Sequence, residues 1–127
     1  MIDHVTLQVA DVAVSRAFYE PLLGALHIVV VFEDDGAVGF TGAGDAQSGS
    51  FWLIPAERPE DRELHLAFSA PDRAHVRAFH AAALDAGAEI LNAPRIFPEY
   101  HPDYYGAFVR DPDGHNIEAV CHLPEPD

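Results

Sequence analysis

The chain moves between two hydrophobic rhythms. Over residues 2–9, Ile2, Val5, Leu7 and Val9 stand against Asp3, Thr6 and Gln8, the alternation of a half-buried strand. From residue 12 the apolar spacing widens to four: Val14, Phe18 and Leu22 share one face of a helix over about 12–23. Asp11 is placed to cap that helix and Gly24 to stop it. Residues 26–33, 37–42 and 50–55 then read as three strands, parted by Asp34-Asp35-Gly36 and by the glycine-rich 42–49. The order returns as a strand over 63–69, a helix over 72–86 between Pro71 and Gly87, and strands near 88–92, 104–110 and 115–122. Asp111-Pro112-Asp113-Gly114 is a strong turn signal between the last two.

The two halves are copies. His4 and His65, Asp11 and Asp72, and Phe18 and Phe79 are each 61 residues apart, and Arg-Ala-Phe occurs at the same place in both. Gly24-Ala25 and Gly87-Ala88 lie 63 apart, which makes the second helix two residues longer. The prediction is an α+β fold of two β-α-β-β-β modules, about 1–56 and 63–123, within one domain spanning 1–127.

With 127 residues, 49% of them hydrophobic, the chain can bury one sizeable core. Twenty-one acids against seven bases, all Arg, give a net charge of −14. Such a surface repels phosphate backbones and anionic lipid, so neither nucleic acid nor membrane is an expected partner. No apolar run approaches the ~20 residues of a membrane span. The opening Met1-Ile2-Asp3-His4 lacks the pattern of a signal peptide, and the expected location is cytoplasmic. The single Cys121, in an apolar strand-like run, reads as a buried structural thiol.

Chemistry concentrates in three residues. His4 and His65 open the first strand of each module, and Glu118 is one acid in the otherwise apolar Ile117-Glu118-Ala119-Val120. A carboxylate there is costly unless it lies at a rim, is paired or binds a cation. If Glu118 shares a face with both histidines, two imidazoles and a carboxylate suit Fe, Mn, Ni or Zn and leave positions open for substrate. Asn116 lies on the same strand face as Glu118 and is a candidate supporting group. The bland alternative makes each histidine a hydrogen-bonded strand residue.

Three stretches carry a resemblance: Asp3-His4-Val-Thr-Leu-Gln-Val-Ala-Asp11, Ser15-Arg-Ala-Phe18-Tyr19-Glu-Pro-Leu-Leu23-Gly24, and Tyr105-Gly-Ala-Phe108-Val-Arg-Asp111-Pro112-Asp113-Gly114-His-Asn-Ile-Glu118. Together they resemble the vicinal oxygen chelate superfamily, which includes glyoxalase I, extradiol dioxygenases, fosfomycin-modifying enzymes and bleomycin-binding proteins. The resemblance implies a cup-shaped, curved mixed sheet with the helices outside, built around one divalent metal held by His4, His65 and Glu118. It implies bidentate chelation of a small oxygen-rich substrate, and a homodimer in which each cup is either self-contained or shared between chains.

Within that superfamily the residues discriminate. Aligning Gly49 with Gly114 sets Leu53 against Glu118, so the acid that glyoxalase I carries in its first module is missing. A three-ligand site disfavours glyoxalase I proper. Thr6, two residues after His4, matches the fosfomycin-modifying relatives, but the chain has no Lys for a phosphonate pocket. Dioxygenase-like or lyase-like chemistry remains open, with His101, Tyr104 and Tyr105 as candidate catalytic groups and Thr6, Trp52, Phe108 and Asn116 as pocket candidates. The competing class is a metal-free sequestering protein of the bleomycin-resistance type, with a wall of Trp52, Phe108 and Tyr105. His75, His80, His27, His115 and His122 read as structural. His122 shares parity with Glu118 but, four residues on, is placed about 13 Å along the strand, too far to share its metal.

Overall fold

The computed structural model describes residues 4–44, 50–56 and 64–126. Gly49 and the predicted strand starts before His4 and at residue 63 lie outside these. The first module runs β1 (His4–Val9), α1 (Val12–Gly24), β2 (Ile28–Asp34), β3 (Ala37–Gly42) and β4 (Ser50–Pro55). The second runs β5 (His65–Ser69), α2 (Arg73–Asp85), β6 (Ile90–Ile96), β7 (Tyr105–Arg110) and β8 (Asn116–Cys121). Each module builds a four-stranded mixed sheet, ordered β1-β4-β3-β2 and β5-β8-β7-β6. The β1–β4 and β5–β8 pairs are parallel and the others antiparallel. Among the described residues no closed barrel forms, and β1 and β5 end their own sheets without pairing with each other.

Both helices begin as their sequences require. The Asp11 carboxylate accepts from the Val14 amide at 3.1 Å, and that of Asp72 from the His75 amide at 2.9 Å. Such caps satisfy amides that the first turn leaves free, each worth about 1 kcal/mol. The ends differ. Gly87 takes the left-handed turn after α2 (φ 72°), as expected of a helix-stop glycine. Gly24 does not: α1 runs through it, and His27 turns left-handed instead, at φ 60°. Strand β6 extends to Ile96, past Pro94, which sequence reading leaves outside it. The ladder tolerates the missing N–H because the register shifts between Asn92 and Arg95.

Strand alternation divides each sheet into two faces. Leu7, Val9, Phe51 and Leu53 of the first sheet, and Ile117, Ala119 and Cys121 of the second, are buried in one core beneath the helices. Tyr19, Leu22, Leu23, Val76 and Phe79 fill it from α1 and α2, which pack on each other. The modules are joined inside this core: the Tyr19 hydroxyl donates to Asp111 at 2.6 Å, and the Phe51 and Phe68 rings meet edge-on at 5.4 Å. The opposite faces, turned away from the helices, carry Thr6, Gln8 and Trp52 in one module and His65, Asn116, Glu118 and Phe108 in the other.

Candidate functional site

The second module's outer face gathers the chemistry. Glu118 stands in the middle of β8 and is 1% exposed, yet among the described residues no Arg is paired with it. Its two oxygens take different partners: His65 Nε2 is 3.0 Å from Oε2, and the Tyr104 hydroxyl donates to Oε1. Burial, followed by the hydrogen bond to Glu118, raises the Tyr104 pKa and keeps the phenol protonated. Gly106 gives the carboxylate room, because a Cβ there would approach Oε1 to 3.2 Å and both Tyr104 and Phe108 to 3.4 Å. Beside His65 in the ladder, the Asn116 side-chain oxygen is buried with no hydrogen-bond partner among the described residues.

A hollow of about 300 Å³ opens over this carboxylate, lined by His65, Tyr100, His101, Tyr104, Phe108, Glu118 and His122. The segment 97–104 closes one side of it. Phe97 is the packing centre, with Tyr100 stacked on it at 5.9 Å and Tyr104 and Phe108 edge-on at 6.1 and 5.1 Å. At the rim, the His101 and His122 rings stack, with His101 Nε2 2.8 Å from His122 Nδ1. The Asp103 amide donates to His101 Nδ1 at 3.2 Å, so a neutral His101 carries its proton on Nε2 and donates it to His122. A larger hollow of about 500 Å³ lies between α1 and the 111–114 turn. Its walls are mostly apolar, and its charged groups, Arg110 and Glu89 3.8 Å apart and Asp111, are engaged in structural contacts.

The sequence pattern of the glyoxalase/bleomycin resistance protein/dioxygenase superfamily matches residues 1–119. The chain belongs to that superfamily. Among solved structures it is similar to a glyoxalase/bleomycin resistance protein from Albidiferax ferrireducens T118, at 28% identity and TM-score 0.81, over 95% of this chain and 98% of that one. A glyoxalase/dioxygenase from Nostoc punctiforme shares the fold at 24% identity and TM-score 0.70, over 98% and 92% of the two chains. A lactoylglutathione lyase from Agrobacterium tumefaciens does so at 20% and 0.70, over 95% and 92%. No curated protein matches the chain.

The glyoxalase-superfamily fold distributes the predicted residues unevenly. His65, Glu118, His101, Tyr104 and Phe108 meet at one hollow, with Asn116 beside them. His4 opens β1 on the other sheet, in register with Ser50. Thr6 and Trp52 pair with each other on that sheet's outer face. Among the described residues, no three His, Cys, Asp or Glu side chains stand together as a metal-binding group.

Three expectations are corrected. Tyr105 is not in the hollow: it pairs with Cys121, packs against the core, and has the Arg73 guanidinium over its ring at 5.1 Å. His122 is in it, because the 97–104 segment carries His101 back to the end of β8. The counterpart of Glu118 is Trp52 rather than Leu53: Thr6 pairs with Trp52 as Ala67 pairs with Glu118, while Leu53 is wholly buried in the core. The first module offers no acid at that place either, since the ladder register is one residue away from the register of the turns.

Proposed function

We propose that the chain is a metal-dependent enzyme of this superfamily, acting on a small oxygen-rich substrate. The observation that carries the reading is the buried Glu118 carboxylate, approached by His65 Nε2 at 3.0 Å beside an open hollow. Gly106 leaves the carboxylate room on this face, and the neighbouring Asn116 oxygen is buried with no hydrogen-bond partner among the described residues. An imidazole and a carboxylate are two donors of a three-ligand site for Fe, Mn, Ni or Zn, and His4 is the third. When bound, the divalent ion would act as a Lewis acid on adjacent substrate oxygens.

The site is completed in a homodimer, with His4 from one copy and His65 and Glu118 from the other. Support comes from the outer edges of β1 and β5, which pair with no further strand among the described residues, and from the exposure of Thr6, Gln8, Ala67 and Ser69 on the faces beside them. A two-fold pairing places each β1 beside the partner's β5.

The chain's own groups then have separate tasks. Tyr104, held protonated, fixes the orientation of Glu118 through Oε1 and leaves Oε2 for the His65 side. Phe97, Tyr100 and Phe108 keep water from one flank of the carboxylate. The His101–His122 pair moves a proton at the rim, with His122 Nε2 as its outer, proton-bearing nitrogen.

Plasma mass spectrometry on untagged protein tests the metal, with wild type beside Glu118→Ala and His4→Ala. The expected result is about one equivalent of a single transition metal in the wild type and its loss from both folded variants. Equal metal in all three, or none after anaerobic reconstitution, would refute the proposal. A panel of catechols, dicarbonyl–thiol adducts and epoxides then searches for the reaction.

A further inference from the structure

The outer face of the first module holds a second constructed feature, centred on Trp52. Its indole N–H donates to Ser50 Oγ at 2.8 Å, so the polar edge of the ring is already satisfied. One face of the ring lies on the backbone of Gly39, its partner in the ladder. A Cβ on Gly39 would stand 2.7, 2.8 and 2.9 Å from three atoms of the six-membered ring. Gly39 is not in the left-handed region, so its missing side chain serves space rather than backbone freedom. Phe32 approaches from β2 with ring centres 5.3 Å apart and the planes steeply inclined. The indole is thus fixed below, at its edge and at its nitrogen, while Trp52 stays half-buried and Phe32 is 44% exposed.

The same pair of adjacent positions is filled oppositely in the two modules. The first has Gly39 beside Trp52, and the second has Phe108 beside Glu118. Where one half places a carboxylate against an aromatic neighbour, the other spends both positions on laying an indole flat. A core does not require this, since neither residue belongs to the core cluster.

We propose that Trp52 is a stacking platform for a planar conjugated ring in the ligand, on a part of the ligand that carries no negative charge. Indole is the largest aromatic face a side chain offers, and a ring held on three sides loses little freedom when a second ring stacks on it. The electron-rich face disfavours an anion, as does a chain with net charge −14 and no Lys. Only the placement of this ring near the oxygen-binding groups rests on the functional reading above; the platform itself needs no metal.

Trp52 is the only tryptophan, so a ¹H–¹⁵N spectrum carries one indole cross-peak. The protein, as purified and after chelator treatment, is titrated with benzamide, with the puckered cyclohexanecarboxamide and with the anionic benzoate. Benzamide is expected to shift that cross-peak by its ring current in both preparations, cyclohexanecarboxamide to leave it in place and benzoate to bind more weakly. Saturation transfer from protein to benzamide should fall in Gly39→Ala, which lifts the indole, and in Trp52→Leu. Each variant's full amide spectrum reports whether it is folded. No shift with benzamide, or equal shifts with benzamide and cyclohexanecarboxamide, overturns the platform. A cross-peak that moves with protein concentration and then no longer responds to benzamide puts a second copy over the indole and also overturns it. Metal content, measured separately, decides the fate of the metal reading independently.

Discussion

Trp52 and Glu118 hold corresponding places in the two halves of the chain, each paired across a parallel ladder with the third residue of its module's first strand, Thr6 and Ala67. A one-residue slip in a strand moves every side chain to the other face, so the difference between Trp52 and Leu53 is chemical as well as formal. Leu53 is wholly buried, whereas Trp52 faces away from the helices. Leu53→Glu is therefore expected to cost about 3–5 kcal/mol, since it puts an unpaired carboxylate into the core. Trp52→Glu should leave the fold intact, because the new carboxylate reaches the outer face. Urea denaturation of both variants checks this, and equal destabilisation would refute the register.

Removing the Glu118 carboxylate should separate binding from folding. Glu118→Gln keeps the shape beside Gly106 and still accepts from Tyr104, but it loses most of its strength as a metal donor. We expect Glu118→Gln to unfold at nearly the wild-type urea concentration and to carry much less metal. Metal content and the urea midpoint, measured on one preparation, check the pair.

Much of this was legible in the chain. The 61-residue offset placed β1 and β5, and the Asp11 and Asp72 caps fixed where both helices start, because those signals are local. The failures came where tertiary contacts decide. Tyr104 and Tyr105 are adjacent, and only the pairing of Tyr105 with Cys121 shows that it packs on the core side while Tyr104, just before β7, reaches Glu118. Distance along β8 puts His122 beyond sharing a metal with Glu118, yet it still lines the hollow, which is bounded across the fold as well as along a strand. Parity did point to it, since residues 118, 120 and 122 fall on one face. The Gly39–Trp52 contact had no sequence signal, because a glycine needed for space reads like a glycine needed for a turn.

The contact between Tyr19 and Asp111 predicts a loss of stability in alkali. Burial first, and then the Asp111 charge, raise the Tyr19 pKa well above its ordinary value of 10.0. Above that value the unfolded chain releases the phenolic proton while the folded one keeps it, so the unfolded state binds fewer protons and stability falls with rising pH. The contribution is fully present below pH 10 and declines above it. Tyr19→Phe should cost about 1 kcal/mol at neutral pH and flatten the decline above pH 10. Asp111 keeps the Asp113 and His115 amides as donors in the variant, so its carboxylate is not stranded. Urea midpoints from pH 7 to 11 for both proteins test the sign.

Tyr104 and Glu118 should be energetically coupled, and the direction of coupling separates two roles for the phenol. In the wild type the hydroxyl is, among the described residues, the only side-chain donor to Glu118 Oε1, while His65 serves Oε2. Tyr104→Phe then leaves one oxygen of a buried carboxylate without that partner, at a cost of about 1–2 kcal/mol. With the carboxylate already gone, in Glu118→Ala, the same change should cost less. The double-mutant cycle is expected to give a coupling of about 0.5–2 kcal/mol. Metal content gives the second reading: a positioning phenol predicts that Tyr104→Phe binds the metal more weakly but still binds it, whereas Glu118→Ala does not. If the two changes add without coupling, Tyr104 is a wall of the hollow and Glu118 is oriented by His65 alone.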